Sequence, residues 1–172
     1  MEESNNLTHI FYNAKLKSGE TKQHHLVVDR DGTYILINCV DDKNNEMGFV
    51  SFSIAQCDYA WLYKIEVHEE YQNQKIGSAL LDVMEYITLN LGFDSVEGTY
   101  NPSNSHAKKL YNSHNYFIPN QTHSWDFYDP HWRMYKRLRE NSQQIRATAK
   151  ANVENIEVLD ALINDIQDPE QE

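Results

Sequence analysis

Residues 59–91 carry the clearest alternation of apolar and polar positions in the chain. Side chains from Trp61 to Val67 alternate between two faces, which predicts a β-strand. A short polar turn without proline follows from Glu69 to Lys75. Beyond it, apolar residues recur at the spacing of an α-helix, at Ile76, Leu80, Met84, Ile87 and Leu91. Gly92 stands where a C-cap glycine ends a helix, so the segment is predicted to form a strand, a turn and a helix.

The start of this helix has the features of an anion-binding site. The first amides of a helix have no acceptor within the helix, and the same end carries the positive pole of the helix dipole. Gly77, in the first predicted turn, lacks a Cβ and therefore lets a ligand approach the backbone. A phosphate or pyrophosphate fits such a position. Many strand-turn-helix units bind nothing, so this pattern alone does not identify a ligand.

The rest of the first 138 residues is predicted to consist mostly of strands. The N-terminal part shows no helical periodicity before residue 75. One further helix is predicted from about Asn104 to His114, after a turn at residues 101–103. Residues 119–131 are predicted to form an aromatic loop. Strands are predicted at residues 7–17, 22–29, 34–40, 47–55, 93–100, 116–118 and 132–138.

The C-terminal segment, residues 139–172, is predicted to form an amphipathic helix and an acidic tail. Its apolar positions follow the alternating spacing of a heptad repeat, in which Asn152 is a single polar position. Three interpretations remain open: a helix that packs on its own domain, a homodimer contact, and a frayed tail. The positions concerned are Ile145, Ala149, Asn152, Ile156, Leu159, Ile163 and Ile166.

Length and charge narrow the function classes. The chain has 172 residues, which suits one domain with a sizeable core. Its net charge of −11 argues against nucleic acid as the main partner, because nucleic-acid phosphates bind basic surfaces. The first residues lack the pattern of a signal peptide, and no apolar stretch is long enough to span a membrane. A cytoplasmic protein without membrane association is therefore expected.

Cysteine and histidine usage gives no sign of a disulfide framework or a metal site. Two cysteines, Cys39 and Cys57, are consistent with a reducing compartment. A covalent acyl-enzyme on either thiol has no supporting neighbour in the sequence. None of the eight histidines has the spacing of zinc ligands, and the adjacent His24 and His25 are predicted to point to opposite faces of a strand. We therefore expect no metal site.

The turn and helix start resemble a known motif. Residues 67–81 read Val-His-Glu-Glu-Tyr-Gln-Asn-Gln-Lys-Ile-Gly-Ser-Ala-Leu-Leu and are similar to motif A of the GNAT superfamily of N-acetyltransferases, Arg/Gln-x-x-Gly-x-Gly/Ala. One register places Gln72 first and Gly77 last, with Lys75 where the family usually has its first glycine. A second register, from Gln74 to Ala79, matches the letters better. The first is preferred because it fits the distance from the end of the strand.

A second motif supports the resemblance. Residues 104–116 read Asn-Ser-His-Ala-Lys-Lys-Leu-Tyr-Asn-Ser-His-Asn-Tyr and resemble the family pattern Asn-x-x-Ala-x-x-Leu-Tyr-x-x-x-Gly-Phe. Asn115 replaces the glycine, and asparagine is the next most suitable residue for a left-handed helix cap. The resemblance covers approximately residues 46–138.

The resemblance implies a fold and a domain organisation. The fold is expected to be α/β, with a GNAT-like mixed and twisted central sheet flanked by helices and a C-terminal helical extension. Residues 1–138 would form the acetyltransferase domain, with a strand-rich part at 1–58 and a cofactor core at 59–118. The family usually has one or two helices after its first strand, often walling the acceptor pocket, and this sequence shows none.

The resemblance also implies the co-substrate, acetyl-CoA, and the residues that bind it. Backbone groups of Ile65 and Val67 would pair with pantetheine, and Asn104 would contact the same arm. The amides of residues 73–79 would cradle the pyrophosphate, while Gln72 and Lys75 add a hydrogen bond or charge; a solvated loop lysine is the alternative for Lys75. The implied cofactor-binding residues are Ile65, Val67, Gln72, Asn73, Gln74, Lys75, Ile76, Gly77, Ser78, Ala79 and Asn104.

The implied reaction is direct transfer of acetyl to a primary amine through a tetrahedral intermediate, with a backbone amide near Val67 stabilising the oxyanion. Tyr111 would protonate the departing thiolate; an ordinary half-buried aromatic is the alternative. Glu97 and Glu66 are two candidates for the general base that deprotonates the amine through water. Each is equally compatible with a solvent-facing strand residue.

The acceptor is left open by the sequence. It is an amine-bearing small molecule or a protein, and the aromatic loop with Trp125, Phe127 and Tyr128 suits a cationic amine. A second function hypothesis is a catalytically silent GNAT-fold module that binds CoA or a protein partner. Lys75 and the missing N-terminal helices favour it, whereas Asn104 and Tyr111 favour the enzyme.

Overall fold

The computed structural model describes residues 7–56, 58–101, 103–118 and 132–168, with the side chain of Trp132 not described. Seven strands form one sheet in chain order. The strands are β1 (Thr8–Lys15), β2 (Thr21–Asp31), β3 (Tyr34–Val40), β4 (Glu46–Ser53), β5 (Tyr59–Val67), β6 (Ser95–Tyr100) and β7 (Trp132–Arg137). The helices are α1 (Ile76–Asn90), α2 (Ser105–Ser113), α3 (Ser142–Asn152) and α4 (Ile156–Gln167), with 3₁₀ turns at Glu69–Tyr71 and Arg139–Asn141.

The sheet is mixed, as predicted. Neighbouring strands are antiparallel except β5 and β6, which are parallel and connected through α1. Before residue 69 the described part of the chain contains strands and no helix, in agreement with the missing helical periodicity. The strand-turn-helix of the first motif is therefore formed here by the fifth strand and the first α-helix.

The strands β5 and β6 separate beyond Leu62. Their pairing runs from Tyr59 opposite Ser95 to Leu62 opposite Gly98. The rest of β5 keeps β4 as its neighbour, with a bulge at Tyr63 where the register shifts. A bulge bends a strand and re-aims its side chains. The second half of β5 thus presents an edge that no described strand covers.

The hydrophobic core lies between one face of the sheet and the helices. Alternate residues of β1, β3 and β6 are buried, and α1 packs on this face while α3 and α4 pack beside it and on β1. Gly92 has a φ of 96° and ends α1 as predicted, and Phe93 packs against the core. The largest fully buried side chains include Phe52, Leu26, Ile37, Leu62, Leu80, Met84 and Met134.

The predicted C-terminal helical extension is present, but it consists of two helices, α3 and α4, rather than the single amphipathic helix predicted within residues 139–172. Residues 153–155 leave the helix and bind to the edge of β1: Glu154 N donates to Phe11 O at 2.8 Å, and Phe11 N donates to Asn155 Oδ1 at 3.0 Å. The backbone N–H and C=O groups on the outer edge of β1 would otherwise lack hydrogen-bond partners. The apolar positions Ile145, Ala149, Leu159 and Ile163 are buried within the chain.

The helices therefore pack on the rest of the same chain, the first of the three interpretations. A division of the chain at residue 138 stays a prediction. Among the described residues, no helix combines the length and apolar character that crossing a membrane requires.

Candidate active site

The loop between β5 and α1 is held in place by hydrogen bonds from two directions. Gln72 Nε2 donates to the carbonyl oxygen of Val67 at 3.3 Å, which ties the loop to the end of β5. His24 Nε2 lies 2.6 Å from the carbonyl oxygen of Gln74, and Lys22 Nζ donates to Gln74 Oε1 at 2.7 Å. The loop is thus held both by the end of β5 and by β2, which lies three strands away in the same sheet.

Two residues of this loop adopt left-handed backbone conformations. Asn73 has a φ of 70° and Lys75 a φ of 67°. Lys75 stands where the family usually has glycine, and the conformation shows why glycine suits the position: L residues other than glycine are disfavoured there. Lys75 is also the N-cap of α1, so the helix begins at Ile76 as the apolar spacing predicts.

The first turn of α1 presents free amides at a positive helix end. The first hydrogen bond of the helix runs from Ala79 N to Lys75 O at 3.0 Å. The amides of Ile76, Gly77 and Ser78 have no acceptor within the helix. No acidic residue stands in this first turn, and no side chain caps it. The partial positive charge at this end is therefore available to an anion.

A cleft of about 1020 Å³ opens at this helix end, between the uncovered half of β5 and α2. Of the predicted cofactor residues, eight line it: Ile65, Val67, Gln72, Asn73, Lys75, Gly77, Ser78 and Asn104. Gln74 is instead turned toward β2, where its side chain and carbonyl are bound. Ile76 and Ala79 are buried in the core, so their side chains cannot contact a ligand. The amide of Ile76 remains available, whereas Ala79 N is engaged by Lys75 O.

Gly77 brings the two motifs into contact. A Cβ at this position would lie 2.9 Å from Leu110 Cδ2, closer than real Cβ contacts come. The missing side chain thus allows α2 to pack tightly against the start of α1. Its φ is not in the left-handed region, so close approach rather than backbone freedom explains the glycine.

Asn104 is both the N-cap of α2 and part of the cleft wall. Its Oδ1 accepts a hydrogen bond from Ala107 N at 3.0 Å, the usual N-cap arrangement. The side-chain oxygen is therefore engaged, and the amide group is the part left to contact a ligand. At the other end of the motif, Asn115 has a φ of 66°, as its replacement of glycine predicts.

Tyr111 is buried in the core, and the described walls of the cleft do not include it. Its side chain is 2% exposed and contacts the rings of Tyr100 and Tyr116, with centroid separations of 5.8 and 5.3 Å. Burial raises the pKa of its hydroxyl above the ordinary value of 10.0. The structure therefore separates Asn104, which is exposed at the cleft, from Tyr111. The catalytic role of Tyr111 stays a prediction.

The two candidate bases lie in different places. Glu66 lines the cleft, and its carboxylate is 3.2 Å from Lys64 Nζ and 3.8 Å from His68 Nδ1. Glu97 lines a separate depression of about 720 Å³, where it binds Arg133 Nη2 at 3.2 Å. Placement at the cleft favours Glu66.

Several residues that line the cleft belong to no motif or pattern in the sequence. Lys17, in the turn between β1 and β2, reaches it although it is far from both motifs in the chain. Lys17, Lys64, Lys75 and Lys109 line the cleft, against two glutamates, in a chain of net charge −11. His68 also lines it, and its Nε2 lies 3.0 Å from Glu46 Oε2. Lys17 belongs to the β1–β2 hairpin. The position of this hairpin depends on tertiary packing, which no local sequence pattern reveals.

Cys39, His24 and His25 do not line the cleft. Cys39 is buried, and burial raises the pKa of its thiol to about 12, so it is not a nucleophile at neutral pH. His24 is buried and His25 is more exposed, so they point to opposite faces as predicted. Cys57 and the aromatic residues Trp125, Phe127 and Tyr128 lie outside the described residues.

The sequence profile of the Acetyltransferase (GNAT) family matches residues 4–116, more than half of the chain. The chain belongs to this family. No curated protein sequence matches it closely enough to be counted as a relative. Membership of this family supports an acyl-CoA N-acyltransferase activity in general terms. The matched residues include both motifs.

Solved structures share the fold at low sequence identity. The PaiA N-acetyltransferase from Thermoplasma acidophilum, in complex with coenzyme A, is 21% identical; the alignment covers 61% of each chain with a TM-score of 0.53. The ribosomal-protein-S18-alanine N-acetyltransferase from Escherichia coli is 21% identical, over 63% of this chain and 72% of that one, with a TM-score of 0.53. The GNAT domain of S. lividans PAT is 12% identical, over 74% and 97%, with a TM-score of 0.60.

Proposed function

We propose that this protein transfers the acetyl group of acetyl-CoA directly to a primary amine. The observation that carries the proposal is the cleft at the start of α1. There, three free amides, the left-handed loop and the uncovered edge of β5 converge on one space. Its volume suits an extended ligand, and its lysines suit phosphates.

Each part of the cleft corresponds to one part of acetyl-CoA. The amides of Ile76, Gly77 and Ser78 and the positive helix end would bind the pyrophosphate. Lys75 and Lys17 add cationic groups nearby. The open edge of β5 offers backbone groups to the amides of pantetheine, as one strand offers them to another. This assignment is supported by the PaiA enzyme, which has the same fold and was solved with coenzyme A.

The acyl transfer itself needs three groups. A backbone amide near Val67 would stabilise the oxyanion, and Tyr111 would stabilise the leaving thiolate. Glu66 is the preferred base because it lines the cleft, whereas Glu97 is engaged with Arg133 in another depression. His68 lies beside Glu66, which places an imidazole where a proton from the amine could pass.

The runner-up is a silent GNAT-fold module that binds CoA or a protein partner. The burial of Tyr111 away from the described cleft wall favours it. Under this alternative acetyl-CoA binds without turnover. Dimer formation and a cytoplasmic location stay predictions under both hypotheses.

An acceptor screen with thiol release as the readout separates the two functions. The full chain is mixed with acetyl-CoA and a panel of polyamines, amino-sugar compounds, lysine peptides and peptides with free N-termini. Release above the amine-free rate supports the enzyme, and Glu66→Gln should reduce it more than Glu97→Gln does. Binding of acetyl-CoA without release for any amine class would favour the silent module.

A further inference from the structure

Lys64 is an amine of this chain that lies inside the candidate active site. It stands on β5 and lines the cleft together with Glu66 and His68. Its side chain is 63% exposed, so a ligand in the cleft can reach the ammonium group. The proposed reaction consumes a primary amine, and the ε-amino group of lysine is one. The proposed acetyl transfer assigns Lys64 no part, although its chemistry is that of an acceptor.

The register of β5 places Lys64 beside the gap in the sheet. The pairing of β5 with β6 ends at Leu62, and the bulge at Tyr63 comes directly before Lys64. Lys64 and Glu66 are two residues apart on this strand, so both side chains project from the same face of the sheet. The pantetheine arm is expected along the uncovered half of β5. The thioester at its end would therefore lie in the gap that Lys64 borders.

The ammonium of Lys64 is held beside the candidate base. Its Nζ lies 3.2 Å from Glu66 Oε1, and His68 Nδ1 lies 3.8 Å from the other oxygen of the same carboxylate. Glu66 is the neighbour of Val67, near which the oxyanion-stabilising amide is expected. The ring centroid of Phe49 is 6.0 Å from Lys64 Nζ, within the range of a cation–π contact. A carboxylate and an aromatic ring suit an acceptor amine, and Lys64 occupies the place between them.

The other three lysines of the cleft lack this arrangement. Lys17 and Lys75 lie where phosphates are expected, and Lys109 belongs to α2. Among the residues that the structure describes, none of these three forms a salt bridge with a carboxylate. Lys64 is therefore the cleft lysine that combines an accessible ammonium with an adjacent base.

We propose that Lys64 is acetylated by acetyl-CoA bound in the cleft of the same chain. The ammonium gives a first proton to Glu66, directly or through His68, and the neutral nitrogen attacks the thioester carbon. A carbon–nitrogen bond forms and the carbon–sulfur bond breaks, with its electron pair leaving on sulfur. The nitrogen loses a second proton, and the sulfur takes one up.

The products are ε-N-acetyllysine at position 64, CoA as its thiol, and one proton released to the solvent. The inference rests on the proposed acetyl transfer and names one acceptor for it. The modification would also remove the positive charge that stands beside Glu66.

Incubation of the full chain with acetyl-CoA, without added amine, tests the inference by intact-mass and peptide mass spectrometry. The expected result is one acetyl group per chain, located on Lys64. Its rate should not depend on protein concentration, because the transfer occurs within one chain. Acetylation of the exposed Lys43, in the β3–β4 hairpin, measures chemical transfer to a surface lysine. It should be at least about tenfold slower than acetylation of Lys64, which the cleft brings close to the thioester.

Three variants make the test specific. Lys64→Arg keeps a positive charge for Glu66 but has no acceptor amine, so this rapid acetylation should disappear. Glu66→Gln should slow the acetylation of Lys64 at least about tenfold, because the base is lost. Lys43→Arg is the matched control, and its Lys64 should be acetylated as fast as that of the natural protein.

Equal acetylation of Lys64 and Lys43, a rate that rises with protein concentration, or an unchanged rate in Glu66→Gln would each overturn the inference. It is also overturned if added amines release thiol while Lys64 stays unmodified, and the proposed acetyl transfer then stands. The absence of thiol release both with and without amines would contradict the proposed function together with this inference.

Discussion

His24 Nε2 lies 2.6 Å from the carbonyl oxygen of Gln74, so a buried side chain of β2 holds the loop that begins α1. The contact joins β2 to the loop after β5 and fixes the backbone where the cofactor phosphates are expected. Since His24 is 2% exposed, the imidazole is best accommodated in its neutral form.

Stability should therefore fall in mild acid. Burial lowers the pKa of His24 below 6.5, with a smaller contribution from Lys22 and an opposing one from the Gln74 carbonyl. The unfolded chain then binds the proton more tightly, so the contribution is complete above about pH 6.5 and is lost as the pH falls below it. His24→Gln keeps a donor for Gln74 but does not titrate. Its free energy of unfolding should decline less between pH 7.5 and 5.5, measured by urea denaturation.

The exposed His106→Gln provides the matched control, because it removes one imidazole without touching the loop. Its free energy of unfolding should decline between pH 7.5 and 5.5 as much as that of the natural protein. If the free energy of unfolding declines equally with falling pH in the natural protein and in both variants, His24 does not govern the pH dependence of stability.

Lys75→Gly tests the left-handed N-cap. Relief of the backbone strain at a φ of 67° should leave the melting temperature unchanged or raise it. If the ammonium binds a phosphate, acetyl-CoA affinity should fall and become less dependent on salt. Asn73→Gly removes the same kind of strain without removing charge, and should leave affinity unchanged. A destabilised Lys75→Gly protein with unaltered affinity would contradict both parts.

The C-terminal helices should be essential for stability. Leu159 is on the buried face of α4 and is fully buried, whereas its neighbour Val158 is 36% exposed. Leu159→Ala should cost about 2–5 kcal/mol of unfolding free energy. Val158→Ala should cost less than about 0.5 kcal/mol. Similar costs for the two changes would show that α4 is not packed on the rest of the chain in solution.

Tyr111→Phe tests the leaving-group role. Its hydroxyl pKa is raised by burial, whereas a thiol has a pKa near 8.5, so hydrogen bonding to the thiolate is more favourable than full proton transfer. The variant keeps the ring and should lower kcat about 10- to 100-fold. Acetyl-CoA affinity and melting temperature should barely change. Unchanged turnover, measured where chemistry limits the rate, would make Tyr111 a packing residue.

Local patterns predicted the elements around the site, and tertiary contacts decided the rest. Alternation located β5, helical spacing located the start of α1, and the asparagine at 115 correctly indicated a left-handed cap. The interruption between α3 and α4 was missed, because it depends on hydrogen bonds from residues 153–155 to β1.

In the candidate site, too, local patterns identified some residues and tertiary contacts brought in the others. The motifs identified the loop and Asn104, but Lys17 enters the cleft only because the β1–β2 hairpin lies against the loop. Glu85 breaks the simple amphipathic pattern of α1 since its partner, Lys136, comes from a strand far along the sequence. Pairings of that kind leave no local periodicity to detect.

The central claim is that the cleft at the start of α1 binds acetyl-CoA, and calorimetric titration of the full chain tests it most directly. The account predicts one binding event per chain, weakened at least tenfold by Ser78→Asp. An aspartate there suits a helix start but repels the pyrophosphate, so folding should be retained. Ser142→Asp makes the same change at the start of α3 and should bind as the natural protein does. No binding at millimolar acetyl-CoA, or full affinity in Ser78→Asp, would contradict the account.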